Sequence, residues 1–553
     1  MLSLLLLLAQ DDAALRLAWG VPRHLDPHRA STSAEARYVG ALFEGLTTAE
    51  ADGVTPAPGV AETWEVSPDG LTWVFRLREA SWSNGDPLTA RDFVFAWRRA
   101  VRIGTGCPFL DLFRRFRAVE AWLGAQEADA ILDQYDELKP GQPELVSERL
   151  RLTARARHAE ALKRRGEEAA EKAAARRPDV SERDLGFEAV DDRTLRVTLE
   201  RRTPWLPHLV SLHAFVPLHE KSLEANGEDW VKADRIVTNG PYLFAEASAV
   251  RLLLRRNPKY WDPALAAAPE RVECGLHTPD VALEKFREGR LDWIAREQIP
   301  DAEARTLKGR TRFDGWGVVF LRLHTRRAPF DRPGFRAAFA KGVDRAALAE
   351  AADASPATGL VPPGYPGWTG AKAAAFDPAG AVEGLLKESD FDLSKLPELE
   401  LLAPDVLDLG ATAEGLKTRL EKTLALKVSL RVMKLPAYLK AAAAGEFHLA
   451  LGAWLGDAFD PSTFLEGWTS GSPLNAGRWE SAAFDERLKV AAACADPAER
   501  LGHLKDAEAI ALGADAAIPL FLVSEVHGFS PRLNGVQPNP LGRFPLKRLR
   551  VTK

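Results

Sequence analysis

In the second half of the chain, long amphipathic stretches alternate with short apolar runs, and this alternation constrains the fold more than any other feature. Helices are predicted at Ala379–Lys387, Ala411–Leu426, Leu435–Ala444 and Pro497–Leu512, the last with Asp496 as N-cap and Pro497 at its first position. Strands are predicted among them at Leu399–Leu402, Lys427–Leu435, His448–Leu455 and Ile518–Val523. Strands separated by helices pair into parallel or mixed sheets that those helices cover, so the fold class is α/β. A length of 553 residues implies roughly two to four domains. The net charge of −5 argues against binding to a phosphate backbone, so no nucleic-acid partner is expected.

The first half carries a different pattern. Leu15 to Gly20 reads as a strand and Ala34–Glu44 as a helix with Leu42 and Phe43 on its apolar face. Trp64–Val66 and Thr72–Leu77 alternate around the turn Ser67-Pro-Asp-Gly70, which predicts a β-hairpin. Thr89 is placed to cap a helix over Ala90–Val101, whose Phe93, Val94, Trp97 and Val101 share one face. Leu185–Leu199 reads as two strands around Asp191-Asp-Arg193, and Trp205–Pro217 as a strand-rich segment. Asp280–Ala295 reads as an amphipathic helix ending in a turn. Residues 1–14 open with Met1-Leu-Ser-Leu-Leu-Leu-Leu-Leu, too short to span a bilayer but similar to the apolar core of a secretory signal, so export is expected. No Cys follows that run, so a lipid anchor there is not supported. Cys107, Cys274 and Cys494 stand far apart and read as buried apolar thiols.

The candidate functional stretch is Leu451-Gly-Ala-Trp-Leu-Gly-Asp-Ala-Phe-Asp-Pro-Ser-Thr-Phe-Leu-Glu-Gly-Trp468. A buried strand breaks at Gly456-Asp457 into a turn and an aromatic-rich element. Asp457, Asp460 and Glu466 lie inside it, and no Lys or Arg follows until Arg478. A carboxylate ringed by Trp454, Phe459, Phe464 and Trp468 needs a partner. That partner is a protein cation, a set of backbone N–H groups or a positively charged ligand; alternatively Asp457 only caps the turn. Nucleophile-elbow, zincin, phosphate-loop and dinucleotide motifs are absent, so neither enzyme chemistry nor a cofactor is expected. His24 and His28 have helical spacing, but Pro27 breaks the helix they would need, so no metal site is expected.

Pro58 to Arg99, with Trp64-Glu-Val, Asp69-Gly-Leu-Thr, Leu77-Arg and Trp82-Ser-Asn-Gly-Asp-Pro-Leu-Thr-Ala-Arg-Asp-Phe, resembles the signature of the family 5 extracellular solute-binding proteins. These are the oligopeptide- and dipeptide-binding components of ABC importers. Leu42-Phe-Glu-Gly-Leu46, Thr238-Asn-Gly-Pro-Tyr242, Arg256-Asn-Pro-Lys-Tyr-Trp-Asp262, Ala328-Pro-Phe-Asp331, Val343-Asp-Arg345, Gly359-Leu-Val-Pro-Pro-Gly364 and the Trp454–Trp479 segment are similar to further family motifs, in the family's order.

The resemblance implies a two-lobed fold of three domains with mixed sheets and a ligand cleft between the lobes. Domain I would be discontinuous (15–50, 185–272 and 523–553), domain II would span 51–184, and domain III 273–522. It also implies a monomeric, non-catalytic carrier in the periplasm that closes on oligopeptides by hinge motion and delivers them to ABC permease subunits. Asp457 aligns with the family's ammonium-binding aspartate, with Phe459 in its aromatic surround. Ala453, Trp454 and Leu455 would pair with the ligand main chain, and Ser31, Thr32 and Ser33 would face it from domain I.

Two regions depart from the family. Ala128–Asp184 is an Ala/Arg/Glu-rich helical insertion, read as solvated or as a docking surface. Leu321-Arg-Leu-His324 replaces an aromatic-Asn ending, and the basic residue expected shortly before Asp457 is missing, because Leu449-Ala-Leu451 stands there. Arg322 and His324 are the substitutes for holding a ligand carboxylate. Other readings are the same fold with a non-peptide amine or metal-chelate solute, and a sensor or scaffold that uses the insertion.

Overall fold

The computed structural model describes residues 14–50, 52–137, 178–389, 392–393, 396–456 and 458–552. Residues 1–13 of the expected leader, residues 138–177 of the expected insertion, and Asp457 lie outside the described residues. Ten strands form one mixed sheet, in the order Val428–Met433, Leu399–Pro404, Leu449–Leu455, Arg310–Leu323, Ala517–Phe529, Trp293–Ile294, Leu15–Ala18, Arg271–Gly275, Arg251–Arg256 and Tyr242–Ala247. A separate antiparallel sheet contains the hairpin Ala61–Val66 and Thr72–Leu77, then Thr194–Thr198 and Phe187–Asp191.

Two long strands join the halves of the large sheet. Near its start, Arg310–Leu323 pairs with Ser524 to Gly528 of Ala517–Phe529, beside Trp293–Ile294. Near its end it pairs with Ala517 to Leu522 and, on the other side, with Leu449–Leu455. Register shifts fall between Asp314 and Val318 and between Val319 and Phe320, where an extra residue bends and twists a strand. One hydrophobic core gathers around the first half, including Leu15, Trp97, Phe215 and Tyr242. The second half has a core on each face of the sheet. Val319, Leu321, Leu449 and Leu451 point to one, and Trp316, Val318 and Phe320 to the other, with Trp454 packed against it, as strand alternation requires.

Most predicted elements form within a residue or two, because their signals are local. Thr89 caps Ala90–Ala100 and pairs with Asp92, and Asp496 caps Pro497–Gly513 by accepting from Glu499 N at 2.7 Å. Four expectations are corrected. The helix expected over Asp280–Ala295 ends at Arg287, and Trp293–Ile294 is a strand of the large sheet. Trp205–Pro217 is not strand-rich: it forms the helical turns Leu206–Leu209 and His213–Phe215. Pro204 and Pro207 offer no N–H to a ladder, while Trp97 Nε1 donates to Phe215 O at 2.8 Å and draws the segment into the core. The first helix, Ser33–Leu42, stops short of Glu44. Of the three thiols, Cys107 and Cys274 are buried but Cys494 is only half-buried. Among the described residues, no helix is long and apolar enough to cross a membrane.

The early end of that first helix has a cause. Glu44 leaves the helix to exchange backbone hydrogen bonds with the Asn239 side chain, at 3.1 and 2.9 Å. Its buried carboxylate accepts from Lys547 Nζ at 2.8 Å, from Trp261 Nε1 at 2.6 Å and from the Tyr260 hydroxyl. Lys547 also donates to Tyr260 Oη at 2.8 Å. Gly240 brings the segments this close: a Cβ there would lie 2.4 Å from Leu42 C. The network ties the first, middle and last segments of the chain. Replacing Lys547 with Met would leave Glu44 buried without a cation, with an expected loss of about 3–5 kcal/mol. Urea unfolding followed by tryptophan fluorescence checks this, and a loss below about 1 kcal/mol would mean the pair carries little of the stability.

Candidate functional site

The strand Leu449–Leu455 is buried at its start and open at its end. Its pairing with Arg310–Leu323 continues through Val319↔Ala453, Val318↔Trp454 and Gly317↔Leu455. On the other side, Leu399–Pro404 pairs with it only at Leu401↔Leu449 and Leu402↔Ala450. Beyond Ala450 this edge has no strand neighbour among the described residues. Tyr438 Oη donates to Leu451 O at 2.8 Å. Ala453 and Trp454 are half-buried and Leu455 is 55% exposed. Such an edge offers backbone donors and acceptors in register for an extended chain. Gly456 then passes Trp316 so closely that a Cβ would stand 2.3 Å from the indole.

Past this strand the three acidic residues of the stretch part company. Asp457 lies outside the described residues. Asp460 is fully buried and takes a two-pronged bond from Arg500, at 2.9 and 2.8 Å, while accepting from Ser462 N at 3.0 Å. Its partner is therefore a protein cation plus a backbone N–H. Glu466 is half-exposed, 3.7 Å from Arg115. Phe459 packs on Trp316, Tyr365 and His208, with ring centroids 4.5, 5.4 and 5.3 Å away. Burial pushes the Tyr365 hydroxyl up to about 12.

The Ser31–Ser33 loop is exposed, and its shape is fixed from beneath. Thr32 Oγ1 accepts from Glu35 N at 3.2 Å. The Glu35 carboxylate accepts from the backbone N–H groups of Arg23, His24, Ser31 and Thr32 at 2.8–3.1 Å. The Thr32 side chain is thus committed to capping, and the loop presents backbone and the two serines. Glu35 was missed in the sequence, although the capping-box spacing Thr32-Ser-Ala-Glu35 was there to find.

Arg322 lies opposite Ala450 in the ladder, below the open edge, and is 9% exposed. Its guanidinium sits over the rings of Phe320 and Trp468, at 5.2 and 5.1 Å, and its buried Nε has no hydrogen-bond partner. Burial lowers its pKa. His324 is half-buried against Phe447, with Nδ1 unpartnered and its pKa lowered by burial. His28 has a structural role: it is buried beside the Asp26–Arg99 pair, 3.0 Å from Arg99, and burial pushes it down to about 3. Among the described residues, Cys494, Glu499 and His503 are the group able to hold a metal, their donor atoms within 4.8 Å of one another. No metal site is expected from the sequence, whereas the turn between two helices brings His503 back to Cys494.

Comparison with known proteins agrees with this architecture. The model of the family described as "Bacterial extracellular solute-binding proteins, family 5 Middle" matches residues 55–476. The chain is 28% identical to the Escherichia coli "Probable deoxycholate-binding periplasmic protein YgiS", over 95% of this chain and 89% of that protein. It is 26% identical to the E. coli "Periplasmic oligopeptide-binding protein OppA", over 96% and 90%. The unliganded open form of the periplasmic murein tripeptide binding protein MppA superposes with a TM-score of 0.77 at 24% identity, covering 98% of each chain.

Burial alone would raise the Glu35 pKa, but the backbone N–H bonds hold it down, from 4.5 to about 2. A carboxylate depressed in the folded state stabilises the fold above its unfolded pKa and loses that contribution as pH falls through its folded pKa. Glu35→Gln is therefore expected to cost about 3 kcal/mol near pH 7, with the difference shrinking between about pH 4.5 and 2. Unfolding measured across that range checks it, and a pH-independent difference would show that the ionised carboxylate is not what the loop requires.

Proposed function

The chain belongs to the bacterial extracellular solute-binding proteins of family 5, and on that premise we propose that it is a periplasmic carrier of oligopeptides for an ABC permease. The observation that carries this reading is the open edge of Leu451–Leu455. A peptide laid along it would pair through its main chain, which gives affinity with little dependence on side-chain sequence. The Ser31–Ser33 loop would close over it from the other lobe. In this reading 15–50, 185–272 and 523–553 form domain I, 51–184 domain II and 273–522 domain III, with the cleft between the lobes.

Asp457 would hold the ligand's α-ammonium, its cost of burial offset when the cation arrives and closure excludes water. A peptide anchored there and paired with Leu455 back to Leu451 runs towards Ala450, where Arg322 lies. Arg322 would then hold the carboxyl end, with His324 just beyond the end of its strand. A second reading is a non-peptide solute in the same cleft, favoured by the deoxycholate-binding name of one relative. Native mass spectrometry of protein purified without refolding separates the two: a ladder of mixed short peptides supports the first, and one defined non-peptide mass the second.

If Asp457 reads an ammonium group, acetylating the peptide's amine and replacing Asp457 with Asn remove the same interaction. Each is expected to weaken binding by about 2–4 kcal/mol, and together by little more than either alone. Calorimetric titration checks this; additive losses, or none with Asp457→Asn, would move the anchor elsewhere.

A further inference from the structure

A group of half-buried side chains meets between the Ser31–Ser33 loop and the Phe459 turn, and the proposed peptide contacts do not involve it. Arg543 Nη1 donates to Ser211 Oγ at 2.9 Å, and Ser211 Oγ donates to His208 O at 2.6 Å. The His208 ring packs on Phe459, 5.3 Å away and two residues past Asp457. His213 Nε2 lies 3.2 Å from Ala30 O, next to Ser31. Arg543 arrives from the C-terminal stretch, clamped where its N–H donates to Asn539 Oδ1 at 3.2 Å and its carbonyl accepts from Asn539 Nδ2 at 2.8 Å.

The charge balance of this group is unusual for the molecule. Other well-buried arginines, Arg322 apart, have carboxylate or carbonyl partners: Arg16 pairs with Asp292, Arg99 with Asp26 and Arg500 with Asp460. Arg336 has carbonyl acceptors at Ala514 and Phe330. Among the described residues, the Arg543 guanidinium has the Ser211 hydroxyl as its hydrogen-bond partner and no carboxylate within ion-pair distance. Burial pushes its pKa down to about 10, so it remains charged at neutral pH. Burial, with Arg543 nearby, holds both His208 and His213 near 4, so neither adds a second charge. A partly desolvated cation without a counter-ion is costly, and an arriving anion removes that cost.

We propose that Arg543, flanked by Ser211 and His208, is an anion subsite on the floor of the cleft, and that it takes an acidic side chain of the peptide cargo. The inference rests on the peptide-carrier reading and adds a preference to it. Ser211 occupies one guanidinium N–H, and the remaining fork suits a two-pronged bond from a carboxylate. Main-chain pairing would leave the carrier tolerant of sequence elsewhere, while this one position selects for charge.

The test uses alanine peptides of three, four and five residues, with Glu and then Lys placed at each position in turn. Binding is measured by calorimetry to the wild type, Arg543→Gln and Arg543→Lys, with circular dichroism as a check on folding. In the wild type, Glu at one position is expected to bind about tenfold more tightly than Ala, and Lys there more weakly. The Glu-to-Ala affinity ratio falls to about one in Arg543→Gln and partly recovers in Arg543→Lys. Should Arg543→Gln not fold, Ser211→Ala replaces it and is expected to lower the same ratio. Equal binding of Glu and Ala peptides at every position, or a Glu preference that survives Arg543→Gln, overturns the subsite and leaves the carrier reading standing. If no peptide of the series binds, the carrier reading fails and this inference with it.

Discussion

A buried carboxylate with a single cation holds the first body of this protein together. Trp261 of the middle segment and Lys547 near the end of the chain converge on the Glu44 carboxylate, while Asn239 holds its peptide group. None of these contacts is optional once the charge is buried, because an unpaired carboxylate there would cost several kcal/mol. Arg78 over the Trp261 ring, at 3.6 Å, extends the same cluster towards the hairpin sheet. Several motifs that mark the family in the sequence (Leu42–Leu46, Thr238–Tyr242 and Arg256–Asp262) therefore meet in a structural lock. They make the scaffold recognisable and say little about the cargo.

With the scaffold held this way, the two long strands Arg310–Leu323 and Ala517–Phe529 carry the sheet from one body into the other. The open end of Leu449–Leu455 pairs with Gly317–Val319, the stretch where the register shifts bend this pair. Two of the groups assigned to the site are fixed: Asp460 is locked by Arg500, and the Ser31–Ser33 loop by Glu35. Rigid surroundings suit a site that reads main chain, since ordering costs are met in folding and not again on binding. Among the described residues, neither Arg322 nor Arg543 has a carboxylate within ion-pair distance, which is the charge that the proposed zwitterionic or anionic cargo would supply.

Local signals were readable without coordinates. Helix periodicity, the Thr89 and Asp496 caps, the hairpin turn at Ser67–Gly70 and the α/β alternation all depend on residues within a few positions of one another. The failures were of another kind. Trp205–Pro217 looked strand-rich because its apolar residues are dense, but the bond from Trp97 to its Phe215 carbonyl rewards a compact helical path. Glu44 looked like the end of a helix because nothing nearby reveals Asn239. The partner of Asp460 could not be read, since Arg500 lies forty residues further on.

The sequence by itself determined the class of fold, the positions of most elements and the family, because each of these is written in short-range pattern or in collinear motifs. Tertiary structure alone decided which charges are neutralised and which are left waiting. It also decided which strand edge stays open, and that Ser211, His208 and Arg543 stand together. The reason is physical: compensation of a buried charge, and the presence of a neighbour along a strand, depend on segments that are distant in the chain, and only folding brings those segments within bonding distance.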